Sequence, residues 1–157
     1  MPVPFFALCY GCFPRLETLV LYKAARLFDR PTAPLLLAQF TSLKHLEINS
    51  SLFPSFVSLR RTISALKDLE TLTMKNVSVQ HPMPSSPWDL PSRQAQAWGL
   101  KLRRFCATSH LDVSERAAIC IEATLGWLST TSAAGRLEQL QLHVSSLQQS
   151  TNSGLGE

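Results

Sequence analysis

With 157 residues the chain is long enough for one domain around one hydrophobic core. Hydrophobic residues make up 45% and charged residues 17%, with a formal net charge of +4. These values exclude wholesale disorder, a collagen, a coiled coil, a multi-span membrane protein and a disulfide miniprotein, and they name no reaction.

The first apolar run, Pro4 to Phe13, is too short for a membrane helix, which needs about 20 residues. Met1-Pro2-Val3-Pro4 lacks the basic side chains that precede the apolar stretch of a secretory signal. An intracellular protein, cytoplasmic or nuclear, with no membrane partner is therefore expected. The same run contains Cys9-Tyr10-Gly11-Cys12, a CxxC that serves as a redox motif or as half a zinc site. Zinc needs a second ligand pair at short spacing, and Cys106, Cys120 and the four histidines are scattered. A redox site needs a strand before the motif and a helix after it. Here Phe13-Pro14-Arg15 and a strand-like stretch follow. A small redox or zinc-binding protein built on Cys9 and Cys12 stays as the alternative function, beside the simpler reading of idle thiols.

From Leu16 onward an L-x-x-L-x-L pattern recurs, with apolar substitutes. Its five copies are Leu16-Leu19-Leu21, Leu43-Leu46-Ile48, Leu69-Leu72-Met74, Leu102-Phe105-Ala107 and Leu137-Leu140-Leu142. The first leucines are 27, 26, 33 and 35 residues apart. Within each copy the anchors alternate as in a strand. Between copies the spacing is helical. Leu35, Leu36, Leu37 and Phe40 precede the second copy, and Phe56, Leu59, Ile63 and Leu66 the third. Ala117, Ala118, Ile121, Leu125 and Leu128 precede the fifth. Each unit thus reads strand, loop, helix, loop, and strands joined by such crossovers run parallel. Burial of these anchors is the expected source of stability. The residue after each first leucine alternates in sign along Glu17, Lys44, Glu70, Arg103 and Glu138. Stacked side by side, each would neighbour an opposite charge.

These repeats resemble the leucine-rich repeat family over about Leu16 to Val144, with two of the periods inside the family's range of 20–29. The likeness implies an α/β solenoid of about five irregular strand-helix units with a parallel sheet on its concave face, over residues 1–147. Family units carry Asn or Cys eight residues after the first leucine. Here Ala24, Ser51, Val77, His110 and Ser145 stand there, so the asparagine ladder is expected to be absent. Irregular repeats of this kind are similar to those of F-box proteins with leucine-rich repeats, although no F-box is visible. That narrower likeness implies a substrate-recognition part of a ubiquitin ligase adaptor.

Residues 78–100 break the rhythm with Pro82, Pro84, Pro87 and Pro91, and are expected to form an inserted loop flanked by Trp88 and Trp98. Residues 148–157, rich in Ser and Gly, read as a disordered tail. Before the first repeat, Phe5, Phe6, Ala7, Leu8 and Phe13 resemble the end of a helix more than a polar cap. Self-association through an open N-terminal edge is the expected consequence.

Alternation along a strand turns the residues between the anchors to the opposite, concave face. Three columns follow. The first is Thr18, His45, Thr71, Arg104 and Gln139; the second is Val20, Glu47, Thr73, Cys106 and Gln141; the third is Tyr22, Asn49, Lys75, Thr108 and His143. Concave faces are the usual docking surfaces of repeat proteins, and Tyr and Arg are enriched at interface hot spots. A protein partner on this face is expected.

Other chemistries find less support. Arg60-Arg61 and Arg103-Arg104 are paired cations, but acids lie between the positives along the chain and no aromatic residues interleave with them, which counts against nucleic acid. Gly126-Trp127-Leu128-Ser129 is not a hydrolase elbow, and no glycine-rich phosphate loop occurs. Asp112 and Glu115 flank a helix start at Ser114, where acids favour the helix dipole. No enzyme activity, cofactor, metal site or small-molecule substrate is expected.

Overall fold

Residues 13–30, 32–80, 100–110 and 115–145 are described by a computed structural model of the chain. In chain order they form β1 (Thr18–Tyr22), α1 (Ala25–Phe28), α2 (Ala33–Leu37), β2 (His45–Asn49), β3 (Leu52–Phe53) and α3 (Phe56–Ser64). Then come β4 (Thr71–Lys75), β5 (Ser78–Val79), β6 (Arg104–His110), α4 (Glu115–Ser129) and β7 (Gln139–Ser145). The architecture is mixed α/β. No helix among the described residues is long and apolar enough to cross a membrane.

Five strands make one parallel sheet in the order β1-β2-β4-β6-β7, so its neighbours follow the order of the chain. The registers align the leucine triplets. Leu19, Leu46, Leu72, Phe105 and Leu140 stand abreast, as do Leu21, Ile48, Met74, Ala107 and Leu142. At the strand entrances one carbonyl serves two amides. The N–H groups of Lys44 and His45 donate to the Glu17 carbonyl, and those of Glu70 and Thr71 donate to Lys44. The same fork joins Arg103 and Arg104 to Glu70, and Glu138 and Gln139 to Arg103.

Past the strands the chain turns through a left-handed residue at one repeated position, Lys23, Ser50 and Asn76, with φ of 51°, 47° and 52°. Each donates its N–H to the next segment, to the carbonyls of Asn49, Lys75 and Thr108 respectively. Ser51 then buries its hydroxyl, which accepts from the Ala24 N–H at 3.1 Å and donates to the Asn49 carbonyl at 2.9 Å. At this turn the Ser51 side chain bridges two successive segments. Beyond it β3 pairs with β5, a two-stranded parallel sheet that the repeat pattern did not foresee. There Phe53 stacks on Phe28 of α1, with ring centroids 3.8 Å apart.

The helices follow from capping and spacing. Ser55 caps α3 by accepting from the Ser58 N–H, and Phe56, Leu59 and Ile63, followed by Leu66, enter the core at helical steps. Pro34 opens α2, where its missing N–H is harmless. In α4 the buried face is rotated from the expected one. Ala117, Cys120, Ala123, Thr124, Trp127 and Leu128 are buried, while Ala118 is exposed and Ile121 and Leu125 are half-buried. Small side chains at 117, 120, 123 and 124 let the helix backbone approach the core, and Thr124 satisfies its hydroxyl on the Cys120 carbonyl.

Two further expectations need correction. Leu140 and Leu142 hold the anchor positions of β7 but are each 49% exposed, because no apolar layer among the described residues covers that edge strand. Of the fifth triplet, Leu137 alone packs half-buried against the core. Of the span 78–100 expected as an inserted loop, Ser78 and Val79 belong to β5 and Leu100 is buried, while residues 81–99 lie outside the described residues. Cys9, Cys12, Trp88, Trp98, the apolar residues Phe5 to Leu8 and the tail 148–157 lie outside the described residues.

Candidate functional site

Because the anchors fill one face of the sheet, the residues between them are left on the other. The pairing registers set all fifteen candidates in the three expected columns. Thr18, His45, Thr71, Arg104 and Gln139 are neighbours; so are Val20, Glu47, Thr73, Cys106 and Gln141; so are Tyr22, Asn49, Lys75, Thr108 and His143. We call this the open face, since its side chains range from half-buried to exposed.

Its apolar end is on β1. Val20 is 55% and Tyr22 65% exposed, two apolar side chains on the same face of one strand. The ammonium of Lys23 lies 5.3 Å from the Tyr22 ring centroid, within cation–π range. Column reasoning missed Lys23 because it follows the strand; the left-handed turn brings it back over the ring. A lysine directly after the last strand residue was the available signal.

The centre is polar. Glu47 Oε1 accepts from Lys75 Nζ at 2.7 Å and from Asn49 Nδ2 at 2.8 Å. The Lys75 hydrogen bond, reinforced by Asn49, holds the Glu47 carboxyl below the usual carboxylate range. Asn49 Oδ1 is buried without a hydrogen-bond partner. Toward the far side Arg104 is exposed and forms no ion pair among the described residues, and Cys106 is a half-buried free thiol.

The charges of alternating sign lie along the strand entrances, outside this face. Glu17 pairs with Lys44 at 2.8 Å, Asp68 with Lys101 at 2.7 Å and Arg103 with Glu138 at 3.7 Å. Lys44 lowers the Glu17 carboxyl and Glu17 raises the Lys44 ammonium. Each pair joins adjacent segments of the sheet, as the sign alternation anticipated for Glu17–Lys44 and Arg103–Glu138. A solvent-open cavity of about 430 Å³ sits at this rim, walled by Glu70, Lys101, Arg103, Arg136 and Glu138. Among the described residues no group of three or more His, Cys, Asp or Glu could hold a metal ion.

Arrayed this way, the open face offers an apolar step, a fixed polar centre and a lone guanidinium. Such a surface can recognise a partner through contact area and hydrogen bonding. Comparison with protein-family models, curated proteins and solved structures gives no match.

Proposed function

We propose that this protein is a protein-interaction module, a solenoid resembling the leucine-rich repeats, which takes a protein partner on the open face of its parallel sheet. The observation that carries the reading is the exposure of Val20 and Tyr22 at one end of the polar columns. Large apolar side chains rimmed by polar groups are a mark of interaction surfaces. Tyr22 and Arg104 are also of the types that dominate binding energy at interfaces. The aligned strands favour a rigid platform, which lowers the ordering cost on binding.

The test is affinity capture with the full chain against a variant carrying Tyr22→Ala, Lys75→Ala and Arg104→Ala, with far-UV circular dichroism to verify equal folding. Proteins retained by the parent and lost by the folded variant support the reading. An identical set of captured proteins on both removes the open face from consideration. Cys9→Ser with Cys12→Ser is expected to leave capture unchanged; loss of capture would favour the thiol-based alternative.

A further inference from the structure

We propose that the partner contacts the open face with an acidic, extended segment, one that seats an apolar side chain on Val20 and Tyr22 and a carboxylate on Arg104. This rests on the interaction reading above and adds the partner's chemistry. The argument is charge complementarity. Glu47 is the carboxylate of the three columns, and its Oε1 is already engaged by both Lys75 and Asn49. Lys75 is neutralised in the same contact. Lys23, held over Tyr22, and Arg104 remain without an ion pair among the described residues, so the face carries one uncompensated positive charge beside β1 and another on β6.

The rim of the same sheet provides the contrast. There Lys44, Lys101 and Arg103 each have a carboxylate from the neighbouring segment. Arg104, one residue past Arg103 and turned to the open face, has none.

Geometry sets the spacing. β1 and β6 are three strand steps apart, about 14 Å at ~4.8 Å per step. Val20 also lies two residues further along its strand than the register partner of Arg104. The diagonal is about 16 Å, spanned by roughly five residues of extended chain. Alternate side chains of an extended chain share a face, so the partner segment carries its apolar and acidic residues four or six positions apart, with polar residues between them over Glu47 and Thr73. A nucleic acid fits less well. Its regular phosphates would pass over Glu47, and the one Phe, Tyr or Trp in the three columns, Tyr22, stands at the edge of the sheet.

Random dodecapeptides displayed on phage are selected on the full chain, and recovered peptides are remeasured by fluorescence anisotropy. The expected winners hold Asp or Glu four or six residues from an aromatic or aliphatic residue. They are expected to bind at least tenfold more weakly to Lys23→Glu with Arg104→Glu, to weaken with added salt, and to keep their affinity for Lys23→Arg with Arg104→Lys. Neutral or basic peptides that depend on Tyr22 overturn the acidic partner and leave the interaction face standing. Peptides indifferent to Tyr22→Ala and to the charge reversals, or no recovered peptides, overturn both. A single-stranded dodecanucleotide binding as tightly as the acidic peptides also overturns the proposal. Thermal melts verify that each variant is folded.

Discussion

The Ser51 hydroxyl accepts a hydrogen bond from the Ala24 N–H, 27 residues earlier in sequence and at the equivalent position of the preceding repeat. The same oxygen donates to the Asn49 carbonyl. One buried side chain thus satisfies groups in two successive turns, which water cannot reach to compensate. Ser51→Ala keeps the volume nearly constant but orphans the Ala24 N–H, while the Asn49 carbonyl keeps the Lys23 N–H. Chemical denaturation is expected to report a loss of about 1–3 kcal/mol. A loss within error of zero would mean that the turns are held by backbone bonds alone.

Leu72 and Leu140 are equivalent by repeat and opposite by environment. Leu72 is fully buried in the central strand, whereas Leu140 on β7 is half exposed. Leu72→Ala leaves a cavity and is expected to cost about 2–5 kcal/mol. Leu140→Ala removes little buried area and is expected to cost less than about 1 kcal/mol. Because β7 pairs on one side only among the described residues, Leu142→Lys is expected to reduce self-association without lowering the melting temperature. Light scattering and thermal melts measure the two quantities. Equal costs at positions 72 and 140 would show that β7 is covered in solution.

Much of this arrangement was legible in the chain. The triplet spacing anticipated which residues align, since a one-residue slip would turn the anchors of a strand to the opposite face. The face of α3 followed from steps of three and four at Phe56, Leu59, Ile63 and Leu66. Where the reading missed, local pattern had stopped deciding. The α4 face depends on small residues at Cys120, Ala123 and Thr124, which hydrophobic counting ranks below Ile121 and Leu125. The exposure of Leu140 depends on what lies beyond the last strand, which no periodicity encodes. Lys23 joins the site through a backbone turn, and the Glu47–Lys75 bond links residues 28 apart in adjacent strands.

Ser50 adopts a left-handed conformation with φ of 47° and donates its N–H to the Lys75 carbonyl at 2.8 Å. A residue with a Cβ costs about 1–2 kcal/mol there. Glycine relieves that cost but loses about 0.5–1 kcal/mol of unfolded-chain entropy. Ser50→Gly is thus expected to be neutral or to stabilise by up to about 1 kcal/mol. Ser50→Val, β-branched at a positive φ, is expected to destabilise by roughly 1–3 kcal/mol. A thermal melt of the pair separates them, and equal melting temperatures would contradict the strain assigned to this turn.

The Glu47–Lys75 contact makes part of the stability acid-sensitive. Lys75 first, then Asn49, holds the Glu47 carboxyl below its ordinary value. A carboxyl depressed in the folded state adds stability in full above its unfolded value, near pH 4, and loses it as pH falls through the lower folded value. Both side chains are partly exposed, which limits the contribution to about 0.5–1 kcal/mol at neutral pH. Glu47→Gln is therefore expected to lower the unfolding free energy at pH 7 by that amount, and with it the urea midpoint. As the pH falls below the ordinary carboxylate range and the parent carboxyl takes up its proton, the two midpoints are expected to converge. A gap that persists unchanged to pH 2 would assign the effect to the shape of the glutamine side chain instead of to the charge it removes.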